Sequence, residues 1–161
     1  GEAWYFDRND IKRDDYSILK ASSAIPVVCE PQYIDNVPYF DGALGNPVPV
    51  KKAFDDGCDK LVLILTKPES LIQTPDNEKI LAKMFQSKYP KAARQLELRA
   101  ERYNEGVALA QEYAKDGKAI IISPDDTCGV DTLVKNKSSL QKLYEKGYSD
   151  AEKISSFLSG N

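Results

Sequence analysis

The chain contains no histidine. That absence excludes a Ser-His-Asp or Cys-His triad, and a His-ligated zinc or iron, built from these residues alone. Acid–base chemistry here has to use Asp, Glu, Lys, Tyr or Cys. Cysteine is sparse too: Cys29, Cys58 and Cys128 are dispersed, odd in number and free of any C-x-x-C spacing. Neither a zinc ribbon nor a thioredoxin motif fits, and buried, reduced thiols in a cytoplasmic protein are expected. Long hydrophobic runs are missing as well. The longest, Leu61 to Leu65, is far too short to span a bilayer, and no secretory signal pattern is seen. Charge of one sign is also lacking: the net charge is -3, with no basic stripe, so nucleic acid is not an expected partner.

What is there suits one globular domain with a real core. The chain has 161 residues, 42% hydrophobic and 29% charged, so the surface is well solvated. Glu2 to Asp7 reads as a short strand. Asp14 and Asp15 can cap a helix carrying Tyr16, Ile18, Leu19 and Ala21, which Pro26 stops. Val27-Val28-Cys29 is β-prone, and Gln32 to Asp35 with Val37 to Phe40 reads as a hairpin turning at Asp35-Asn36.

Pro49 then opens a short helix that Gly57 closes, and Lys60 to Thr66 follows as a continuous apolar run of buried-strand type. Thr74-Pro75 starts a helix with Ile80, Leu81, Met84 and Phe85 on one face; Pro90 interrupts it. A long helix runs from about Lys91 to Ala114 and ends at Gly117, before a second buried-strand candidate, Lys118 to Ser123. Ser138 and Ser149, each three residues before Gln141 or Glu152, predict two terminal helices split by Gly147. Apolar strands among helices indicate an α/β protein with a mostly parallel sheet, though with few strands for this length.

The densest cluster of unusual residues is Tyr39 to Pro49. An acidic residue, Asp41, ends a short apolar strand. Gly42 and Gly45 permit positive φ and close backbone approach, and Pro47 and Pro49 stiffen the exit. Ligands of α/β sheets gather at such strand ends. Taken alone, Asp-Gly is a common turn dipeptide, and the plain reading is a turn. A second acidic group, Asp125, Asp126 and Asp131, follows the later strand. Oxygen ligands suit Mg2+, but no phosphate-cradling glycine loop accompanies them, and acidic loops after strands are commonly solvated. Arg99, Arg102, Tyr103 and Asn104 could line a pocket, although helix surfaces of this kind are ordinarily solvent faces or interhelical contacts.

The flanks of the acidic turn add a further reading. Leu19-Lys20-Ala21-Ser22-Ser23-Ala24-Ile25-Pro26, then Tyr39-Phe40-Asp41-Gly42-Ala43, then Asn46, Pro49 to Ala53 and Gly57 to Val62, resemble the patatin-like phospholipase family. Arg99 to Asn104, Ile121 to Pro124 and Leu143 to Tyr148 resemble a bacterial subgroup with an extra helical C-terminus. The resemblance implies the C-terminal part of a three-layer α/β/α domain over residues 1–68, carrying the D-G-A loop. Residues 69–161 would be a helical C-terminal region with one further strand. It also implies a Ser–Asp dyad hydrolysing lipid or small esters without cofactor or metal, with Asp41 as general base and Gly42 and Ala43 completing the D-G-A loop. No G-x-S-x-G elbow and no oxyanion-hole glycine run occur in the chain. In the family both lie upstream, so the chain is expected to begin partway through the catalytic domain and to be inactive alone. Its partner would be the N-terminal part of the same protein, and a half-sheet would expose apolar surface that favours self-association into a homo-oligomer. The alternative is a non-enzymatic protein or binding module that keeps the fold.

Overall fold

The structure, a computed structural model, describes residues 1–130 and 136–159. It is a mixed α/β, helix-rich protein with two small sheets, one of them a parallel pair. In chain order the elements are α1 (Ser17–Ser22), β1 (Gln32–Ile34), β2 (Val37–Tyr39), a 3-10 turn (Gly42–Leu44), α2 (Val50–Asp55), β3 (Leu61–Ile64), α3 (Asp76–Phe85), α4 (Pro90–Lys115), β4 (Ala119–Ile122), α5 (Lys137–Asp150) and α6 (Lys153–Ser159). No helix among the described residues is long and apolar enough to cross a membrane. The chain clusters into two compact units that interleave in sequence, residues 1–49 with 73–105 and residues 50–72 with 106–161. Helix α4 contributes residues 90–105 to the first and 106–115 to the second.

In the first unit, local chemistry sets most boundaries. Asp15 Oδ1 accepts the Ser17 N–H at 2.9 Å, which starts α1 and, with that backbone bond as the main cause, holds the Asp15 carboxyl below its ordinary range. The hairpin forms as expected. Ile34 pairs with Val37, so Asp35-Asn36 is a two-residue turn, and both take positive φ, 49° and 63°, as a type I′ hairpin turn requires. Residues 2–7 do not form the expected strand; they run as irregular chain with no partner strand among the described residues to satisfy them. Val27 to Cys29 is likewise no strand: Cys29 N–H closes a turn on Ile25 O, and Val27 sits at φ 72°. The core gathers Leu44, Ala82, Ala93 and Leu96, with Phe40 and Phe85 against it.

Of the expected face of helix α3, only Phe85 packs against the core. Ala82 and Glu78 are its buried positions, whereas Ile80 and Met84 are more than 60% exposed. Periodicity alone could not choose, because Ala82 suits the close approach of α3 to Leu44 better than any larger residue. Glu78 can be buried because Arg99 of α4 pairs with it at 3.1 Å. Asn104 of α4 meets the chain just before α3, its amide donating to Gln73 O and accepting from Gln73 N.

In the second unit, α2 and α4 end in the same way. Beyond α2, Gly57 at φ 95° donates to Phe54 O, and Cys58 donates to Ala53 O. Beyond α4, Gly117 at φ 67° donates to Ala114 O, and Lys118 donates to Tyr113 O. Each is a left-handed glycine cap that satisfies two orphan carbonyls and reverses the chain into a strand. The two helix ends also touch, with the Phe54 and Tyr113 rings stacked at 4.1 Å. The strands so launched pair in parallel, Leu61 with Ala119 through Ile64 with Ile122. The expectation of fully buried strands is corrected for β3: Leu61 to Leu63 are half-buried and Ile64 is 66% exposed, since a two-stranded sheet covers little of its own surface. Two terminal helices form, but Gly147 lies inside α5 and the break falls at Ala151-Glu152. Asn136, not Ser138, caps α5 by accepting from Ser138 and Ser139 N–H, and Ser149 sits in its last turn. The thiols are not buried: Cys29 and Cys58 are exposed and Cys128 is half-exposed.

Nothing lies within 4 Å of a β-carbon added at Gly57 or Gly117, so Gly57→Ala and Gly117→Ala test backbone strain alone. Each is expected to lower stability by about 1–2 kcal/mol. Urea denaturation reads the change as a lower midpoint at unchanged slope.

Candidate functional site

The acidic turn is built in the first unit, where β2 ends at Tyr39. Phe40 turns inward, with ring centroids 6.2 Å from Phe85 and 5.1 Å from Tyr89. Asp41 N–H donates to Ala24 O at 3.0 Å. This bond joins the two sequence stretches that stood apart, the Ala21 to Pro26 segment and the D-G-A turn. Ala21 and Ala24 are buried, and a β-carbon on Gly42 would lie 3.6 Å from Ser22 Oγ, so Ser22 sits against the turn.

The Asp41 carboxylate is half-buried and caps the 3-10 turn: Oδ1 accepts the Ala43 N–H at 2.8 Å. The turn closes with Leu44 N–H on Asp41 O, and with Gly45 and Asn46 N–H both on Gly42 O, each at 3.1 Å. Among the described residues Oδ2 takes no hydrogen bond, so one carboxylate oxygen is oriented and the other is available. Gly42 is exposed and Ala43 half-buried. Neither Gly42 nor Gly45 uses the positive φ open to glycine. Gly45 is needed for close approach instead: a β-carbon there would stand 2.9 Å from Ala3 Cβ.

Three anchors hold the turn. Leu44 is buried among Ala82, Ala93 and Leu96. Asn46 donates to Tyr5 OH at 2.6 Å. Arg102 reaches over from α4, and its Nη1 donates to Leu44 O at 3.1 Å and Gly45 O at 3.2 Å. Of the four helix residues singled out from the sequence, only Arg102 joins the turn. Arg99 goes to Glu78, and Asn104 to the backbone of Gln73. Nothing in the spacing of α4 distinguishes Arg102 as a contact of a loop 57 residues earlier in the chain.

Asp41, Gly42 and Ala43 line a cavity of about 900 Å³ in this unit. Its other walls are mostly apolar and aromatic, including Trp4, Phe6, Leu19, Tyr39 and Tyr89. Phe6 packs edge-on against Tyr39 at 5.4 Å. The arrangement is one oriented carboxylate on the wall of an apolar groove, a setting able to accept a proton from a group held beside it.

The acidic residues after β4 are arranged differently. Asp125 is paired to Lys146 Nζ at 2.9 Å, which holds its carboxyl below the ordinary range. Asp131 lies outside the described residues. Among the described residues no three His, Cys, Asp or Glu side chains gather as a metal site.

Because the Asp41 carboxylate is an N-cap, its two obvious substitutions separate. Asp41→Ala removes the acceptor for Ala43 N–H and is expected to cost about 1 kcal/mol of stability. Asp41→Asn retains an acceptor oxygen and is expected to unfold at nearly the parent denaturant midpoint, which equilibrium urea titration of both variants checks.

Comparison with known proteins adds one span. Residues 89–158, from Tyr89 before α4 into α6, match a family described as a domain of unknown function (DUF6363). No curated protein matches the chain. No solved structure matches it either.

Proposed function

We propose that the chain carries the aspartate-bearing part of a patatin-like acyl-ester hydrolase, a three-layer α/β/α domain with a mostly parallel sheet, and that Asp41 is its general base. The observation that carries this reading is the Asp41 carboxylate itself: one oxygen fixed by Ala43 N–H, the other available, on the wall of a cavity with apolar sides. The hydrogen bond from Asp41 to Ala24 supports it too, because the two stretches of the resemblance meet at the proposed base. So does the parallel pairing of β3 and β4.

In this reading the nucleophilic serine and the oxyanion donors come from sequence upstream of Gly1. The serine Oγ attacks the ester carbonyl while its proton passes to the Asp41 carboxylate. The tetrahedral adduct collapses, and the leaving alkoxide takes that proton from Asp41 and departs as the alcohol. Water then gives a proton to Asp41 as its oxygen attacks the acyl-serine, and the proton returns to serine Oγ as the carboxylic acid leaves. No cofactor enters the cycle. An aspartate is a weak base at neutral pH, so rate depends on how well the carboxylate is aimed. The apolar walls suit the hydrocarbon part of a lipid or small ester.

Hydrolysis of a chromogenic short-chain ester by the complete gene product tests this. Asp41→Asn is expected to lower kcat by about 10²–10⁴-fold with the fold intact. The 161-residue chain alone is expected to turn nothing over. Ester hydrolysis indifferent to Asp41→Asn would refute the assignment of the base, and no hydrolysis by the complete gene product would favour a non-enzymatic binding module of the same fold.

A further inference from the structure

We infer that Arg102 is the positioning residue of the Asp41 loop, so that α4, inside the span matched by the domain of unknown function, sets the aim of the carboxylate. This rests on the reading of Asp41 as a base. The geometry that points to it is a single guanidinium nitrogen with three acceptors. Arg102 Nη1 donates to Gln95 Oε1 at 2.6 Å, to Leu44 O at 3.1 Å and to Gly45 O at 3.2 Å. One N–H serves Gln95, and the other is shared between the two carbonyls, at nearly equal distances.

Those carbonyls belong to the last residue of the 3-10 turn and to the residue that follows it. Asp41 caps the other end of the same turn. The turn is one hydrogen-bonded loop long, so fixing its exit fixes its entrance: Leu44 N–H is bound to Asp41 O, and Ala43 N–H to Asp41 Oδ1. Helix α4 also grips the side chain of Leu44 through Ala93 and Leu96. Leu44 is thus held by its side chain and by its carbonyl from one rigid element. A lysine also carries several N–H donors on one nitrogen but lacks the planar, fixed-direction guanidinium, so it reproduces the arrangement only in part. Arg102 itself touches no reacting group in this scheme; it acts through Asp41.

Two measurements test the inference independently of each other. Arg102→Met keeps the aliphatic stem and removes the donors. In the chain as it stands, amide exchange of Ala43 and Leu44 is expected to speed up about tenfold, with Gln73 N–H, bound to Asn104, unchanged. In the complete gene product, kcat for ester hydrolysis is expected to fall about ten- to a hundredfold at unchanged KM. Arg102→Lys should recover part of that loss. In an Asp41→Asn background Arg102→Met should cost nothing further, since its effect passes through the carboxylate. Gln95→Leu, which frees the guanidinium of its shortest bond, should give a milder change of the same sign if Arg102→Met does not fold. Unchanged exchange at Ala43 and Leu44, or an equal loss of kcat with and without Asp41, overturns the inference. If the gene product shows no Asp41-dependent hydrolysis, the base assignment fails, and amide exchange alone decides whether Arg102 orders the turn.

Discussion

Leu44 occupies a socket made by Ala82 of α3 and by Ala93 and Leu96 of α4, and the ordering of the candidate site depends on that contact. Full burial of a leucine side chain contributes about 1.5–3 kcal/mol, a large part of a small unit's stability. The socket exists because the two helices present alanines, which bring their backbones near the turn. Once Leu44 is seated, the single 3-10 turn can only lie one way, and Asp41 at its start is carried into place with it. The Phe40 ring, packed with Phe85 and Tyr89, fixes the approach from β2, and the bond from Asp41 N–H to Ala24 ties the turn to the segment after α1. A carboxylate in such a setting needs no mobile support: every group that orients it is backbone or packed side chain.

The second unit uses one device twice. Helices α2 and α4 both finish in a left-handed glycine cap with the same pair of hydrogen bonds, and both release the chain directly into a strand. Residue for residue, Phe54 precedes Gly57 by three positions and Tyr113 precedes Gly117 by four, and the two rings stack. The parallel register of β3 and β4 follows from helix ends held together in this way. The pair is a thin sheet, with Ile64 open to solvent.

Features governed by neighbours in the chain were legible beforehand. The Asp35-Asn36 hairpin turn, the Pro90 boundary between α3 and α4, and both glycine caps appear where turn and cap chemistry place them. Features governed by distant partners were not. Residues 2–7 have strand-like composition, yet a strand exists only with a neighbour to take its N–H and C=O groups. Helix α3 carries two candidate apolar faces, and the choice fell to the alanine face because of what α4 and Leu44 required. The exposed Ile80 and Met84 are the remainder of that choice. Gly147 illustrates the limit of glycine as a helix stop: inside α5 it costs about 1 kcal/mol, which a helix of 14 residues with an Asn136 cap tolerates.

For the candidate site the division is similar. The residues alone determined that any acid–base group must be a carboxylate, lysine, tyrosine or thiol, because histidine is absent, and they placed an acidic residue on a tight turn at the end of a short strand. Those are consequences of side-chain identity and of backbone preferences spanning a few positions. The bond that Asp41 Oδ1 accepts from Ala43 N–H, two residues on, is local turn chemistry of the same kind. Tertiary structure alone decided that Ala24 accepts the Asp41 N–H, that Gly45 is required by Ala3 rather than by φ, and that Arg102 closes the loop from a helix far along the chain. Such contacts depend on where separate elements come to rest in three dimensions, and no local spacing encodes them.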